Sequence, residues 1–261
     1  MIGYLGVPGA LLALPYRGGL STKTDRPAKA TRTLGGKVKY FVGPRARREW
    51  SLSFDLMGSR ETAGLVEMAR SGGEVLWYPA DATSGNLLSP QASGFEVTPE
   101  SATRAGLVQL PDGTVAESVI HSGGTQVYPG TAHGSHERVP VRHGQRLAVG
   151  AWGLAGIGFS IAWRTADGTT NATTTVATET FAGWQWREAH YPVPAWATSV
   201  SLGLTGGTQY ARPSISWGSV AQNRPGRGCP KALVHGLSES LSVIARDDSH
   251  GSVDVTISEV G

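Results

Sequence analysis

The chain has 261 residues, a net charge of +3, 39% hydrophobic and 16% charged residues, and a single cysteine. That length and composition describe a folded chain of one large or two ordinary domains with a quiet surface. A lone Cys229 excludes an internal disulfide and a thiolate metal site and reads as a small buried or solvent-near thiol.

Glycine stands at 36 residues, about twice the usual share, and with 15 prolines it calls for many turns, as all-β proteins need. No apolar run is long enough to span a membrane. The start Met1–Gly9 has no basic stretch ahead of its apolar one, so no secretory signal is expected. Charge is unevenly spread. Residues 1–60 hold eleven Lys and Arg against three Asp and Glu, a balance of +8, which leaves −5 for the remainder. A basic end on a mildly acidic body suits nucleic acid, an acidic partner, or head-to-tail packing of identical subunits.

In chain order, residues 1–20 are rich in Gly, Leu and Pro without a clean period. Ser21–Gly36 is polar and basic and reads as a long loop or arm, with room for a short strand. Lys37–Val42 is a strand ended by Gly43-Pro44. Arg45, Arg47 and Arg48 precede an alternating stretch in which Trp50, Leu52, Phe54 and Leu56 share one face and Glu49, Ser51, Ser53 and Asp55 the other. That period defines a strand with one buried face. Ser59 is placed to cap a short helix over residues 60–70, with Gly72-Gly73 as its stop. Glu74–Tyr78 is a further strand, closed by Pro79.

From Asn86 to about Gln222 the chain becomes a series of short β segments between Gly, Pro, Asn and Asp, the pattern of a β-sandwich. Examples are Val115–Ile120, Arg146–Trp152, Ile157–Trp163, Ser199–Leu204 and Ser214–Val220. Asp167-Gly168 is a hairpin turn leading to the Thr-rich strand Thr173–Thr180. Ala221–Gly228 has the composition of a linker, and Leu237–Ala245 with Val253–Ile257 reads as a closing hairpin. Two strands cannot fold alone, so this hairpin is expected to join the strands of residues 37–78. The expected domains are therefore a discontinuous one, residues 1–84 with 223–261, and an inserted β-sandwich, residues 85–222.

Catalytic motifs are absent: His136-Glu137 lacks the second His of a helical zinc-protease motif, and no Ser lies in a nucleophile elbow. His121, His133, His136 and His143 fall in Gly-rich loop without Cys or carboxylate support and read as surface histidines. Glu96, Glu100, Glu117, Glu137, Asp167, Glu179 and Glu188 are the carboxylates from which a glycosidase pair would come, and their spacing gives it no support. Neither a metal nor a cofactor is expected. Tryptophan is the informative residue, because sugar-binding sandwiches present aromatic faces on which a pyranose stacks. Trp152, Trp163, Trp184, Trp186, Trp196 and Trp217 all lie in the middle segment. Any one of them reads as core. Trp184, Trp186 and Trp196, in polar or Pro-rich surroundings, are the exposed candidates, with Tyr191 and Arg187 beside them.

The order of these features resembles a known family. The basic arm, the run Arg48-Glu49-Trp50-Ser51-Leu52-Ser53-Phe54, the short helix and the ending Trp77-Tyr78-Pro79 resemble the tail-ring domain of siphophage distal tail and minor tail proteins. Val253–Gly261 is similar to the close of such domains. The middle segment resembles a carbohydrate-binding-module jelly roll in Asn86-Leu87-Leu88, Val139-Pro140-Val141, Trp163–Gly168 and Val193-Pro194-Ala195. The resemblance implies a mainly β protein, with a split barrel or sandwich domain, one short helix and an inserted jelly roll. It implies a hexameric ring between tail tube and tail tip in the virion, made in the host cytoplasm, contacting tube and tip proteins and displaying a module for host cell-wall polysaccharide. Lys23, Arg26, Lys29 and Arg32 of the arm, with Arg45, Arg47 and Arg48, are then the subunit-contact residues. Membrane and specific nucleic-acid partners are not expected. The rival readings are a free-standing carbohydrate-binding protein and, behind it, a glycan-cleaving enzyme.

Overall fold

The computed structural model describes residues 2–16, 20–26, 28–33, 36–42, 46–122, 126–131, 136–244 and 249–260. Strands β1 (Ile2–Val7) and β2 (Ala10–Pro15) are followed by β3 (Ser21–Asp25), β4 (Ala28–Arg32), β5 (Val38–Val42) and β6 (Arg47–Gly58). Helix α1 (Ser59–Ser71), β7 (Val75–Tyr78) and two single-turn helices, α2 (Ala80–Thr83) and α3 (Pro90–Ser93), come next. The middle of the chain is all strand: β8 (Ala102–Gln109), β9 (Val115–His121), β10 (Val139–Pro140), β11 (Arg146–Leu154), β12 (Ile157–Arg164), β13 (Thr170–Glu179), β14 (Trp184–Pro192), β15 (Ser199–Thr205) and β16 (Gln209–Trp217). The long strands β17 (Cys229–Ile244) and β18 (Ser249–Glu259) close it. The chain divides into a split unit, residues 12–75 with 231–261, and a second unit, residues 2–11 with 76–230.

In the split unit the strands lie in the order β17-β18-β6-β3. Register is set by the alternation: Ile257 pairs with Trp50, Val255 with Leu52, and Val253 with Phe54. All six side chains are buried on one face. Burial of large aliphatic and aromatic side chains contributes about 1.5–3 kcal/mol each, which fixes the pairing against a one-residue slip. The opposite face is polar, and there Ser258 joins the His235 ring (2.7 Å) to the Glu49 carboxylate (3.3 Å). The expected strand at 49–56 is longer, starting at Arg47. The side chain of Leu56 lies outside the described ones. Helix α1 buries Leu65 and ends at Gly72, whose φ of 60° only glycine adopts without strain. Its N-cap is Gly58, with no side-chain cap, and the expected cap Ser59 is the first helical residue. Thr62, Ala63 and Val66 of α1 line, with Met57, Glu239 and Val253, a groove of about 510 Å³.

Strands β4 and β5 pair with each other from Ala28–Val42 to Arg32–Val38 and with no other strand among the described residues. Every residue of β4 is exposed, as are Val38 (49%) and Tyr40 (74%) of β5. The polar stretch Ser21–Gly36, read as a loop or arm with room for a short strand, thus supplies β3 to the sheet beside β6 and β4 to a two-stranded ribbon with the expected strand β5.

The second unit is a jelly-roll-like sandwich of a four-stranded sheet, β10-β15-β12-β13, and a five-stranded sheet, β14-β11-β16-β9-β8. Phe159, Ile161 and Trp163 of β12 alternate inward with Val200, Leu202 and Leu204 of β15. Leu147, Val149 and Ala151 of β11 meet them from the other sheet, with Tyr191, Tyr210 and Ile215. Trp163 and Tyr191 meet edge-on, with ring centroids 6.3 Å apart. In the same unit β1 pairs with β7, Tyr4 opposite Tyr78. The first 20 residues show no period, yet they supply strands. Gly3 and Gly6 interrupt β1 and blur its alternation.

The segments entering and leaving the sandwich are laced together. Asn86 is 1% exposed and uses its whole side-chain amide. Its Nδ2 donates to the carbonyls of Pro213 (3.0 Å) and Arg224 (2.9 Å). Its Oδ1 accepts from the amides of Leu88 (3.1 Å) and Ile215 (3.1 Å). Arg227 N donates to Asn86 O (3.1 Å) and Gly228 N to Leu88 O (3.0 Å). Gly226 N donates to Ser93 Oγ (2.7 Å), and a Cβ on Gly226 would strike the carbonyls of Leu88 and Ser89. The stretch with linker composition is therefore packed against residues 86–93.

Replacing Asn86 by Ala leaves two donors and two acceptors of the backbone without partners. The Asn86→Ala chain is expected to lose about 3 kcal/mol or more in urea unfolding of the sandwich. A loss under about 1 kcal/mol, the worth of one ordinary hydrogen bond, contradicts the clamp.

Candidate glycan-binding face

Strand β14 is the edge of the five-stranded sheet, and its alternation sorts the predicted residues. Trp184 stands opposite Leu154, Trp186 opposite Trp152, and Glu188 opposite Gly150, all on the face turned away from the sandwich core. Gln185, Arg187, Ala189 and Tyr191 belong to the other side. Trp184 and Trp186 are half-buried and pack on a small second cluster of Leu110, Ala116, Trp152 and Ala211. The Trp152 and Trp186 rings meet edge-on at 6.1 Å.

Gly150 makes this arrangement possible. A Cβ there would stand 2.5 Å from Trp186 Cζ2 and 2.9 Å from Ala221 Cβ. The indole of Trp186 therefore lies directly over the backbone of β11, held by a missing side chain. A glycine inside a strand signals close approach of another group, and that signal was available in the sequence.

Beside the rings stands a polar network. Trp152 Nε1 donates to Asn223 Oδ1 (3.1 Å), and Asn223 Nδ2 donates to Asp112 Oδ2 (2.8 Å). Arg212, buried and with φ of 49°, donates to Thr114 Oγ1 (2.9 Å) and to the Val115 carbonyl (3.1 Å). Burial alone would raise the Asp112 carboxyl. Hydrogen bonds from Thr114 and Asn223, with the Arg212 charge, outweigh it and hold the group below the usual carboxylate range. On the other flank Glu188 accepts from the Ala221 amide (3.1 Å) and lies 3.5 Å from His190. Two half-open indoles between hydrogen-bonding groups can stack a sugar ring and bind its hydroxyls. Asn223, Asp112 and Arg212 escaped sequence reasoning because nothing marks a single polar residue in a linker-like stretch, a turn or a strand such as β16.

The other predicted binding residues lie elsewhere. Tyr191 is 4% exposed in the core, where burial pushes its phenol up to about 12. Its ring is closed to a ligand. Arg187 points to the open edge of the sandwich, where it pairs with Glu179 (2.9 Å) and covers the Phe181 ring (5.5 Å). Both partners are largely exposed, so that pair adds at most about 1 kcal/mol. Trp196 is 39% exposed in the turn after β14. Trp186 and Pro192 are six positions apart on β14, about 20 Å of extended chain, so Trp196, beyond Pro192, stands at the far end of the strand from the pair.

Lys23, Arg26, Lys29, Arg32 and Arg47 are exposed in the split unit, and Arg45 lies outside the described residues. Arg48 differs from them. It is 9% exposed and grips Glu259 with both Nε (2.9 Å) and Nη2 (2.8 Å), its guanidinium 4.9 Å from the Trp50 ring. It locks β6 to β18 within one chain. Of the histidines, His121 lies by the Tyr210 ring, His136 stacks on Tyr128 at 3.8 Å, and His133 is outside the described residues. No group of three or more His, Cys, Asp or Glu that could hold a metal ion occurs among the described residues. Glu117 pairs with Arg104, Glu179 with Arg187, and Glu137 is buried, accepting from the Ser89 amide (2.8 Å) and hydroxyl (2.5 Å).

No protein-family model matches the chain, and no curated protein matches it. Among solved structures it is similar to the enzymatically active domain of bacteriophage CBA120 tailspike protein 4. That match has 12% identity and a TM-score of 0.36, and covers 51% of this chain and 21% of that one. It is also similar to the CBM22-1 xylan-binding domain from Paenibacillus barcinonensis Xyn10C. Here the identity is 17% and the TM-score 0.33, over 54% of this chain and 100% of that one. A third similar structure is a carbohydrate-binding module of Cellvibrio mixtus lichenase 5A in complex with cellotriose. It has 16% identity and a TM-score of 0.27, over 47% of this chain and 95% of that one. The chain spans about a fifth of the tailspike domain's length.

A methyl at residue 150 must displace Trp186 or Ala221. Gly150→Ala is expected to cost about 1–3 kcal/mol, the usual toll of overpacking, and to change tryptophan emission. An unaltered melting curve and spectrum would show that Trp186 does not lie on β11.

Proposed function

We propose that the chain is a structural virion protein of a tailed phage, of distal-tail or minor-tail type. Copies of the split unit join head to tail in a ring between tail tube and tail tip, six-membered as in the family the sequence resembles. The sandwich is displayed from the ring and binds host cell-wall glycan. The observation that carries the ring is the β4–β5 ribbon. A lone two-stranded ribbon is marginal in water, and this one leaves Tyr40 and Val38 exposed. A neighbouring copy is the natural cover, because a ring needs one patch to meet a different patch on the next subunit. The basic side chains Lys23, Arg26, Lys29 and Arg32 are exposed on β3, the ribbon and the residue between them, matching the mildly acidic remainder of the chain. Trp184 and Trp186 support the glycan half, on the face where Gly150 seats an indole.

Cryo-electron microscopy of tails tests the structural role. Density for the split unit repeated around the tail axis is expected, and its absence from the particle contradicts the proposal. A glycan array tests the module. Trp184→Ala and Trp186→Ala are each expected to weaken binding by about tenfold or more, the weight of one stacked aromatic. Array binding by a protein with no place in the particle would favour a free-standing carbohydrate-binding protein instead.

A further inference from the structure

The outer surface of the four-stranded sheet carries a second constellation. Arg164, at the end of β12, points away from the core on the same side as Ser160 and Ala162. Its Nε donates to Ser201 Oγ (3.2 Å) and its Nη1 to the Gly168 carbonyl (2.9 Å). Arg138 reaches the same glycine from the other side: its Nη1 occupies the place a Cβ on Gly168 would take. Gly168 has φ of 83°, so the Asp167-Gly168 turn both supplies the conformation and leaves the space. Two guanidinium groups thus converge on one residue.

Like charges repel, so the pair concentrates positive charge that a bound anion would offset. Among the described residues no carboxylate lies within ion-pair range of Arg138 or Arg164. Arg48, Arg104, Arg187 and Arg212 each have one. The acids nearest in sequence are Glu137, whose buried carboxylate accepts from the Ser89 amide and hydroxyl, and Asp167, whose carboxylate is engaged by Thr165 and Thr169 of its own turn. Beside the arginines, Tyr128 and His136 stack at 3.8 Å and form a half-buried aromatic wall. Burial, then the Arg164 charge, lower the His136 pKa; Glu100 opposes them, and Arg138 adds a smaller lowering. Ser199 faces Arg164 across the ladder, and its buried hydroxyl has no hydrogen-bond partner among the described residues. The exposed Trp196 belongs to the turn whose Thr198 donates its amide to the Arg164 carbonyl (2.9 Å).

We propose that Arg138 and Arg164 form an oxyanion site on the outer surface of the four-stranded sheet, and that the anion it holds is the phosphate or carboxylate group of an acidic glycan. Paired guanidinium forks match the geometry of either group. The aromatic wall and Trp196 supply apolar surface for the sugar that carries it. The glycan half rests on the reading of the sandwich as a glycan-binding module. The oxyanion half does not.

Titration calorimetry of the full chain separates the two halves. The probes are poly(glycerol phosphate), polygalacturonate, neutral xylan and inorganic phosphate. At least one of the two anionic polymers binds, and the stronger names the source of the anion. Arg138→Gln and Arg164→Gln each weaken that binding by about tenfold or more, the loss of a charge-assisted hydrogen bond. Arg104→Gln, on the other sheet, leaves it unchanged. Phosphate raises the His136 pKa in nuclear magnetic resonance titrations of the native chain, since an anion favours the imidazolium, and does so less in Arg138→Gln. Arg138 is exposed, so its variant keeps the fold even where Arg164→Gln lowers the melting temperature. Anion binding that is unchanged in Arg138→Gln, or no binding of either anionic polymer or phosphate to the native chain, overturns the site. Xylan binding without anion binding overturns this site and spares the glycan reading. Phosphate binding lost in the arginine variants, with no polymer bound, upholds the oxyanion site and removes the glycan.

Discussion

One buried amide governs the architecture. A module placed inside another domain's sequence must bring its entering and leaving segments together, and Asn86 does so with all four hydrogen bonds its side chain can make. Two of its partners, Leu88 and Arg224, lie on the entering and leaving segments. The other two, Pro213 and Ile215, lie on β16, a central strand of the five-stranded sheet. The clamp therefore ties both connections to the sandwich itself. Gly226 extends it, since only a residue without a side chain lets the leaving segment lie on the carbonyls of Leu88 and Ser89. Residues 221–223, held in place by the same packing, then form one wall of the tryptophan face. Ala221 flanks Gly150 together with Trp186 and donates its amide to Glu188, and Asn223 joins Trp152 to Asp112.

Much of the fold was legible because burial imposes a period. Trp50, Leu52 and Phe54 announced a one-faced strand, and the pairing of β6 with β18 followed from two strands of that kind at the two ends of the chain. The hairpin at Asp167-Gly168 was equally clear from turn chemistry. What failed did so for physical reasons. Strand β1 is broken by glycines that blur its alternation. The Ala221–Gly228 stretch has the composition of a linker, yet its backbone is spent on hydrogen bonds to residues 86–93, which composition does not record. Ser59 has the chemistry of a helix cap, but β6 runs to Gly58 and the helix starts one residue early.

The sites show the same division. Alternation placed Trp184 and Trp186 on one side of a strand and so, necessarily, Arg187 and Tyr191 on the other. Sequence proximity suggested one site where the pleat makes two sides. Trp196 was grouped with them by composition, but a strand's length separates it from the pair. Arg48 was grouped with the basic arm, but it shares the buried face of Trp50 and pairs with a residue 211 positions away. Conversely, the convergence of Arg138 and Arg164 on Gly168 joins residues 26 apart in sequence. Only the sheet surface brings them together.

The central claim is that the split unit assembles with copies of itself through a ribbon that cannot support its own exposed side chains. The mass of the purified full chain in solution tests it most directly. A species several times the 27.3 kDa of one chain is expected, falling to the mass of a single shortened chain when residues 28–42 are deleted while the sandwich keeps its melting temperature. A full chain that stays at 27.3 kDa at tens of micromolar (about 1.4 kcal/mol of association per tenfold in concentration) would contradict it.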